Sequence, residues 1–267
     1  MLHRMRSTQP AHWWYPAWPA SRRVRALWSP RAGGISLPPF DSLNLGSHVG
    51  DDPELVEQNR NSLARKVGAR PVYLNQMHGT DIVELQTETI DGLAADGAYT
   101  GCSGVACVVM AADCLPILLC NRAGTRVAAL HAGWRGLAGR EGRGILEAFH
   151  GQIMPQTTAG CAQDATEWIA WLGPCIGPQT FEVGAEVRSQ FVGHQDGAVR
   201  AFVPLSNGKY LANLPLLARQ RLETLGILAI SGNDGSARWC TATNPSHFFS
   251  YRRDRVTGRH AACIWLE

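Results

Sequence analysis

Residues 104–120 carry almost no polar side chains: Gly104-Val-Ala-Cys-Val-Val-Met-Ala-Ala-Asp113 is followed, after Cys114, by the apolar run Leu115 to Cys120. A strand with one wet face alternates apolar and polar residues, so unbroken runs like these imply strands covered on both faces. Arg126-Val-Ala-Ala-Leu130 and Trp168 to Leu172 read the same way. Further strands are expected from Val24, over Pro71 to Asn75 and Ile82 to Leu85, around Ile227 to Ile230, and over His260 to Leu266. Asp51-Asp52-Pro53-Glu54 opens a helix to about Val67, with an Asp cap, Pro in the first turn and acids near the positive end. Other helices are expected over Gly136 to about Ile153, Gly184 to Phe191 and Leu211 to Leu225. Arg31-Ala-Gly-Gly34 forms a turn, and the Pro-rich stretch Ser36 to Gly50 an irregular loop. Helices and strands mix without strict alternation, which predicts an α+β fold: a single domain over 24–267, with mixed β-sheets packed against flanking helices. Residues 1–23, rich in Pro and Trp, form an irregular segment lying on the core.

A chain of 267 residues, 45% hydrophobic, can bury one substantial core. Its net charge of +3 and its lack of long like-charge runs argue against nucleic acid or an anionic membrane as partner. The start of the chain lacks the pattern of a secretory signal, and no apolar run is long enough to span a bilayer, so a cytoplasmic monomer acting on a small molecule is expected. Eight cysteines are present without a C-x-x-C pair, which removes zinc-ribbon and thioredoxin readings; most should be small buried hydrophobes.

Three loop entries share one form, in which an apolar strand delivers a potential ligand to a turn: His78 before Gly79, Cys114 before Leu115-Pro116, and His131 before Ala132-Gly133. Two imidazoles and a thiolate suit Zn2+, and three protein ligands leave a fourth position open for chemistry. The same residues allow two other readings: Cys114 as nucleophile with a His base and Asp113 as orienter, or Cu2+ with Met77 or Met110 as a weak axial ligand. Taken singly, each is also an ordinary buried Cys or a satisfied His at a strand end. Arg31 beside Gly33-Gly34 and Arg135 before Gly136 suit an anion, Asn44 could bind a sugar hydroxyl or close a turn, and Arg252-Arg253 read as solvated.

Arg31-Ala-Gly-Gly-Ile-Ser36, Ser42-Leu-Asn-Leu-Gly46, Val49-Gly-Asp-Asp-Pro53, Gln76-Met-His-Gly79, Ala95-Asp-Gly97, Ala112-Asp-Cys-Leu-Pro116, His131-Ala-Gly-Trp-Arg-Gly136, Gly173-Pro-Cys-Ile-Gly177 and Phe249-Ser-Tyr-Arg-Arg-Asp254 with Thr257-Gly-Arg259 follow one another in a single order. In these the chain resembles the YfiH-like family, also called laccase-domain or polyphenol-oxidase-like proteins. The resemblance implies a YfiH-like fold, His78, Cys114 and His131 as zinc ligands, and phosphorolysis of adenosine, inosine, guanosine and methylthioadenosine, with adenosine deamination beside it. Purine nucleosides and phosphate would be the partners, with Cys114, Asp113 and Arg135 catalytic and Arg31, Asn44 and Arg135 binding substrate. A copper polyphenol oxidase and a hydrolase editing peptidoglycan precursors are the rival activities. Met77, Arg140-Glu141-Gly142 and a local insertion over Thr157 to Thr166 depart from the family pattern.

Overall fold

The buried runs become the centre of two stacked sheets. The computed structural model describes residues 13–153 and 168–267, so the insertion read over 157–166 and Cys161 lie outside the described residues. β1 (Val24–Trp28), β2 (Arg70–Val72), β5 (Val105–Ala111) and β13 (His260–Leu266) form a four-stranded sheet in the order β1-β13-β5-β2. β3 (Ile82–Glu84), β4 (Gly97–Thr100), β6 (Leu115–Asn121), β7 (Val127–Ala132), β8 (Trp168–Leu172) and β12 (Ala229–Gly232) form a six-stranded sheet in the order β12-β8-β6-β7-β4-β3. β9 (Glu182–Val183), β10 (Phe202–Pro204) and β11 (Tyr210–Ala212) make a small third sheet. Both large sheets contain parallel and antiparallel pairs, giving the α+β architecture expected.

Strand parity shows why neither β5 nor β6 alternates. Cys107, Val109 and Ala111 of β5 pack with Leu118 and Cys120 of β6 and with Val127 and Ala129 of β7, between the two sheets. The opposite face of β5, Ala106, Val108 and Met110, meets Leu63 and Val67 of α1 (Pro53–Val67). The opposite faces of β6 and β7, from Ile117 to Ala132, meet α2 (Trp134–Ala138), α3 (Ile145–Ile153), α4 (Ala185–Val192) and α5 (Leu214–Thr224). Four layers result, helix, sheet, sheet, helices, and only a middle layer requires a strand apolar on both sides. Before them, Trp14 pairs with Trp28 through two backbone hydrogen bonds (3.1 and 2.8 Å) and packs edge-on to Trp239 and Phe248.

Helix α1 follows its capping signals: Asp52 accepts from the Glu54 N–H at 2.9 Å, Pro53 opens the first turn, and Gly68 closes the helix at φ 72°. The long helix expected over Gly136 to Ile153 is instead two. Residues 139–144 break it, with Gly139, Glu141 and Gly142 at φ 65°, 50° and 75°. The break is pinned from another element: buried Arg221 of α5 donates to Glu147 (2.9 Å) and to the Gly142 carbonyl (3.0 Å). The helix expected from Leu211 starts at Leu214, because Asn213 caps it through the Leu216 N–H (3.0 Å) while residues 210–212 pair as β11. The loop before α1 is irregular, yet buried Asn59 holds it by donating to Ser36, Ser42 and Asn44 and accepting from Ile35. Gly34 is required there, since a Cβ would lie 2.2 Å from the Ser42 carbonyl oxygen. Among the described residues no helix is long and apolar enough to cross a membrane.

His260 ties β13 to the segment that follows Phe248. Its Nδ1 lies 2.9 Å from the Ser29 carbonyl and its Nε2 2.8 Å from the Phe249 N–H, so Nδ1 must donate and Nε2 accept, which only the neutral ring can do. Burial, with the nearby charges of Arg31, Arg259 and Arg253, pushes its pKa from 6.5 down to about 3. Unfolded, the ring gains a proton near its ordinary value; folded, it stays neutral. The stability this group contributes is therefore complete above about pH 6.5 and is lost as pH falls toward 3, by roughly 2 kcal/mol at pH 5. Urea unfolding from pH 7 to 5, with the His260 ring followed by NMR, checks this; a ring that protonates near 6.5 in the folded protein contradicts it.

Candidate metal centre and cavity

Residues 112–114 carry the chain from the last strand residue of one sheet, Ala111, into β6 of the other, so Cys114 sits at the seam between the sheets. His131, near the end of β7, shares parity with Val127 and Ala129 and so belongs to the inter-sheet face. His78 comes from the turn between β2 and β3, at φ 59°. The three ligand atoms, one from each, lie within 4.8 Å of one another, and the two imidazole rings are 4.8 Å apart and nearly perpendicular. Tetrahedral zinc would need separations of about 3.5 Å, so a small inward movement would bring all three onto one cation. Gly133 keeps that space open: a Cβ there would lie 3.0 Å from the Cys114 sulfur and 3.1 Å from His78 Cδ2.

One buried carboxylate organises the cluster. Asp96, 1% exposed, accepts from the N–H groups of Met77 (3.0 Å), His78 (2.9 Å) and Gly79 (2.6 Å) and lies 2.8 Å from His131 Nδ1. The last contact makes Nδ1 the donor and leaves Nε2 as the atom free for a ligand. Burial works to raise the Asp96 pKa, but His131 and the N–H groups of Gly79 and Met77 outweigh it and hold the carboxyl below its ordinary range. Burial likewise opposes ionisation of Cys114, yet His131 and His78 prevail and bring its thiol below the usual value. His131 moves the other way: burial disfavours its charge, but the Cys114 sulfur and Asp96 raise its pKa. The site thus favours a thiolate beside positive charge, the electrostatics a cation would satisfy, and the donor set fits zinc.

The cluster opens on a cavity of about 600 Å³, in the range of small-molecule sites. Arg135, Arg252, Arg255 and Arg259 line it with His48 and the aromatic side chains of Trp134, Phe181 and Tyr251. Guanidinium groups lie over the rings of Trp134 (Arg135, 4.5 Å), Phe181 (Arg252, 5.5 Å) and Tyr251 (Arg255 and Arg259, both 5.9 Å). Asp113 also lines the cavity, at φ 96°, with both carboxylate oxygens taken: Thr241 donates its hydroxyl at 2.5 Å and Arg252 its N–H at 2.6 Å. His78, Asp113 and Arg255 are three of the four described non-glycine residues at positive φ, and all three line this cavity.

Of the residues singled out from sequence, His78, Cys114, His131, Asp113 and Arg135 meet at this cavity, while Arg31 and Asn44 are not in its wall. Arg31 donates to the carbonyls of Asp41 and Pro245 (both 2.9 Å) and lies over Phe249. Asn44 is fully buried and closes a turn on Gly46. Met77 is exposed, and Met110 lines the cavity. Arg252 and Arg253, read as solvated, are partly buried: Arg252 is in the cavity wall, and Arg253 donates to the carbonyls of Thr241, Ala242 and Phe248. Cys175 is packed, as expected, with no exposure. Sequence reasoning gave no role to Asp96, His48, Arg255 or Arg259, although Asp96 and Arg259 stand inside motifs it had noted.

Residues 25–267 match the family model described as multi-copper polyphenol oxidoreductase laccase. The chain is 50% identical over 254 residues to the purine nucleoside phosphorylase YfiH of Shigella flexneri, covering 94% of this chain and 97% of that one. The chain belongs to the laccase-like YfiH family. A second YfiH-family relative, purine nucleoside phosphorylase PA4543 of Pseudomonas aeruginosa, is 47% identical over 96% of this chain and 98% of its own. Among solved structures, Neisseria meningitidis protein NMB0706 superposes with a TM-score of 0.85 at 42% identity, covering 96% of this chain and 99% of that chain. For this YfiH-family chain, Asp96→Asn should lower metal affinity about 10- to 100-fold, because the amide cannot accept from His131 and from all three N–H groups at once. Competition with a chromophoric chelator measures it; unchanged affinity in a folded variant would show that Asp96 does not orient the ligands.

Proposed function

We propose that the chain is a zinc-dependent purine nucleoside phosphorylase, a cytoplasmic monomer cleaving adenosine, inosine, guanosine and methylthioadenosine with orthophosphate and deaminating adenosine in the same site. The observation that carries this reading is the junction of the His78, Cys114, His131 cluster with a cavity lined by arginines and aromatic rings. The names borne by the Shigella and Pseudomonas relatives agree with it.

His78, Cys114 and His131 would hold the zinc through one atom each. When bound, zinc supplies Lewis acidity at the position the three protein ligands leave open. The flat faces of Trp134, Phe181 and Tyr251 suit the purine, and Arg135, together with the other arginines of the wall, suits phosphate oxygens. In phosphorolysis the bond from ribose C1′ to the purine nitrogen breaks with its electron pair going to the purine, and a phosphate oxygen bonds to C1′. The proton of monohydrogen phosphate ends on the base. Asp113, with both oxygens engaged, acts as a fixed anion that positions Arg252 and the turn bearing Cys114 rather than as a proton donor. Arg31 and Asn44 act on substrate indirectly, by holding the loop beside the cavity.

The copper oxidase reading has two footholds, the description of the matching family model and Met110 in the cavity wall. Reduction of oxygen by four electrons calls for several coppers, whereas the described residues form one such ligand cluster. Elemental analysis of the purified protein should therefore read zinc, at one ion per chain. Inosine should release hypoxanthine and ribose 1-phosphate only when phosphate is present. Removing the metal, or replacing His78 or Cys114 by Ala, should cut phosphorolysis and deamination about 1000-fold or more, the several kcal/mol a Lewis acid provides. Phosphorolysis that persists in the metal-free enzyme would defeat the proposal.

A further inference from the structure

The cavity wall holds one imidazole that the metal cluster does not use. His48 comes from the irregular loop before α1 and lines the cavity, and neither ring nitrogen forms a hydrogen bond among the described residues. Its place is nevertheless closely prepared. Asn44 accepts from the Gly46 N–H (2.9 Å) and donates to the Gly46 carbonyl (3.2 Å), and it is anchored in turn by Asp51 (2.8 Å). Arg60 donates to the Leu45 carbonyl (2.9 Å) and the Ser47 hydroxyl (3.3 Å). The loop is joined to Arg259 by two bonds: the Arg259 N–H to Asn44 (2.8 Å), and the Leu45 N–H to the Arg259 carbonyl (3.1 Å). Gly46 lies so close that a Cβ would stand 2.7 Å from Arg259 Cγ. Five hydrogen bonds hold the three residues before His48, while its own ring is left to the cavity.

The other titratable groups that sequence reading placed in this wall have tasks: His78, Cys114 and His131 form the cluster, and Asp113 has both oxygens filled. We propose that His48 and Arg259 form an oxyanion-binding corner of the cavity, and, resting on the phosphorylase reading, that its occupant is the orthophosphate consumed in the reaction. The Arg259 Nη1 is held by the Thr257 and Gly258 carbonyls (2.9 and 3.1 Å), which leaves its charge and the Nε and Nη2 donors for the anion. The imidazole offers one N–H to a phosphate oxygen and one lone pair to a phosphate hydroxyl. Partial loss of water around a ring that still reaches solvent, followed by the charges of Arg259 and Arg60 and the neighbouring His78 and His131, lowers the proton affinity of His48, which keeps that lone pair available. The two residues are joined through Asn44, so the corner is built before the anion arrives. Asn44 and Arg259 thereby acquire a shared purpose: a turn whose hydrogen bonds set the spacing of two anion-binding side chains.

Calorimetric titration of the zinc-loaded full chain with orthophosphate alone tests the corner, alongside the phosphate dependence of inosine cleavage. His48→Ala should raise the phosphate Kd and the KM for phosphate about 10- to 100-fold, the worth of a hydrogen bond to a charged group, and leave the KM for inosine within about twofold. His48→Gln, which keeps an N–H donor, should recover part of the loss. Arg259→Lys, which leaves the backbone anchors in place, should weaken phosphate in the same way. Zinc content and melting temperature verify that each variant is folded. Unchanged phosphate affinity in His48→Ala, or equal losses for phosphate and inosine, overturns the corner. If the wild type binds phosphate through His48 yet cleaves no nucleoside, the corner stands and the phosphorylase reading falls.

Discussion

The site depends on one buried carboxylate. Asp96 gathers three consecutive N–H groups, from Met77 to Gly79, and the Nδ1 of His131. That set joins two ligands from segments more than fifty residues apart and decides which nitrogen of His131 is presented. A buried anion with four donors loses little by leaving water, whereas the same anion with one donor removed would be costly to keep charged. This also accounts for the left-handed backbone of His78: the strain is held by hydrogen bonds on both sides of it as well as its own. His78 and His131 are therefore oriented before any cation arrives, and the cluster needs only a small inward movement to close on one.

Layering decides where this happens. Strands β5 and β6 belong to different sheets, and the three residues between them cross from one to the other. A chain leaving one sheet and entering the next must turn sharply at the edge of the inter-sheet core, and Asp113, at φ 96°, is the residue that turns it. Its two carboxylate bonds reach Thr241 and the backbone of Arg252, so the turn bearing Cys114 and the arginine wall are one mechanical unit. Charge follows the same plan. Four arginines line a cavity with one committed carboxylate, a surplus of positive charge that suits an anionic ligand.

Much of the fold was legible because covering a strand on both faces leaves a mark in composition. The runs from Val105 to Asn121 and from Val127 announced middle-layer strands, and Asp52-Pro53 with Gly68 marked α1 through local capping. What escaped was whatever distant partners impose. Residues 139–144 have no strong breaker such as Pro, and their glycines only weaken a helix; the break is held by Arg221, more than seventy residues away. Strands β9, β10 and β11 are two or three residues long and exist through pairing, so no periodicity can show them.

The site divides along the same line. Residue chemistry offered two imidazoles and a thiol as candidate ligands and left zinc, copper and nucleophile readings open, and it was the family resemblance that singled out His78, Cys114 and His131 as a zinc set. Arg31 and Asn44 looked equally suited to a ligand, because side-chain type does not reveal what already occupies it; in the fold Asp41, Pro245, Gly46 and Asp51 take their hydrogen bonds. Asp96, His48 and Arg259 gain their importance from neighbours 17 to 215 positions away. Sequence by itself determined the middle-layer strands, helix α1 and which side-chain types can bind a metal, since these rest on local chemistry. Tertiary structure alone decided which polar groups remain free to act, because that depends on which partners the folded chain brings within hydrogen-bonding reach.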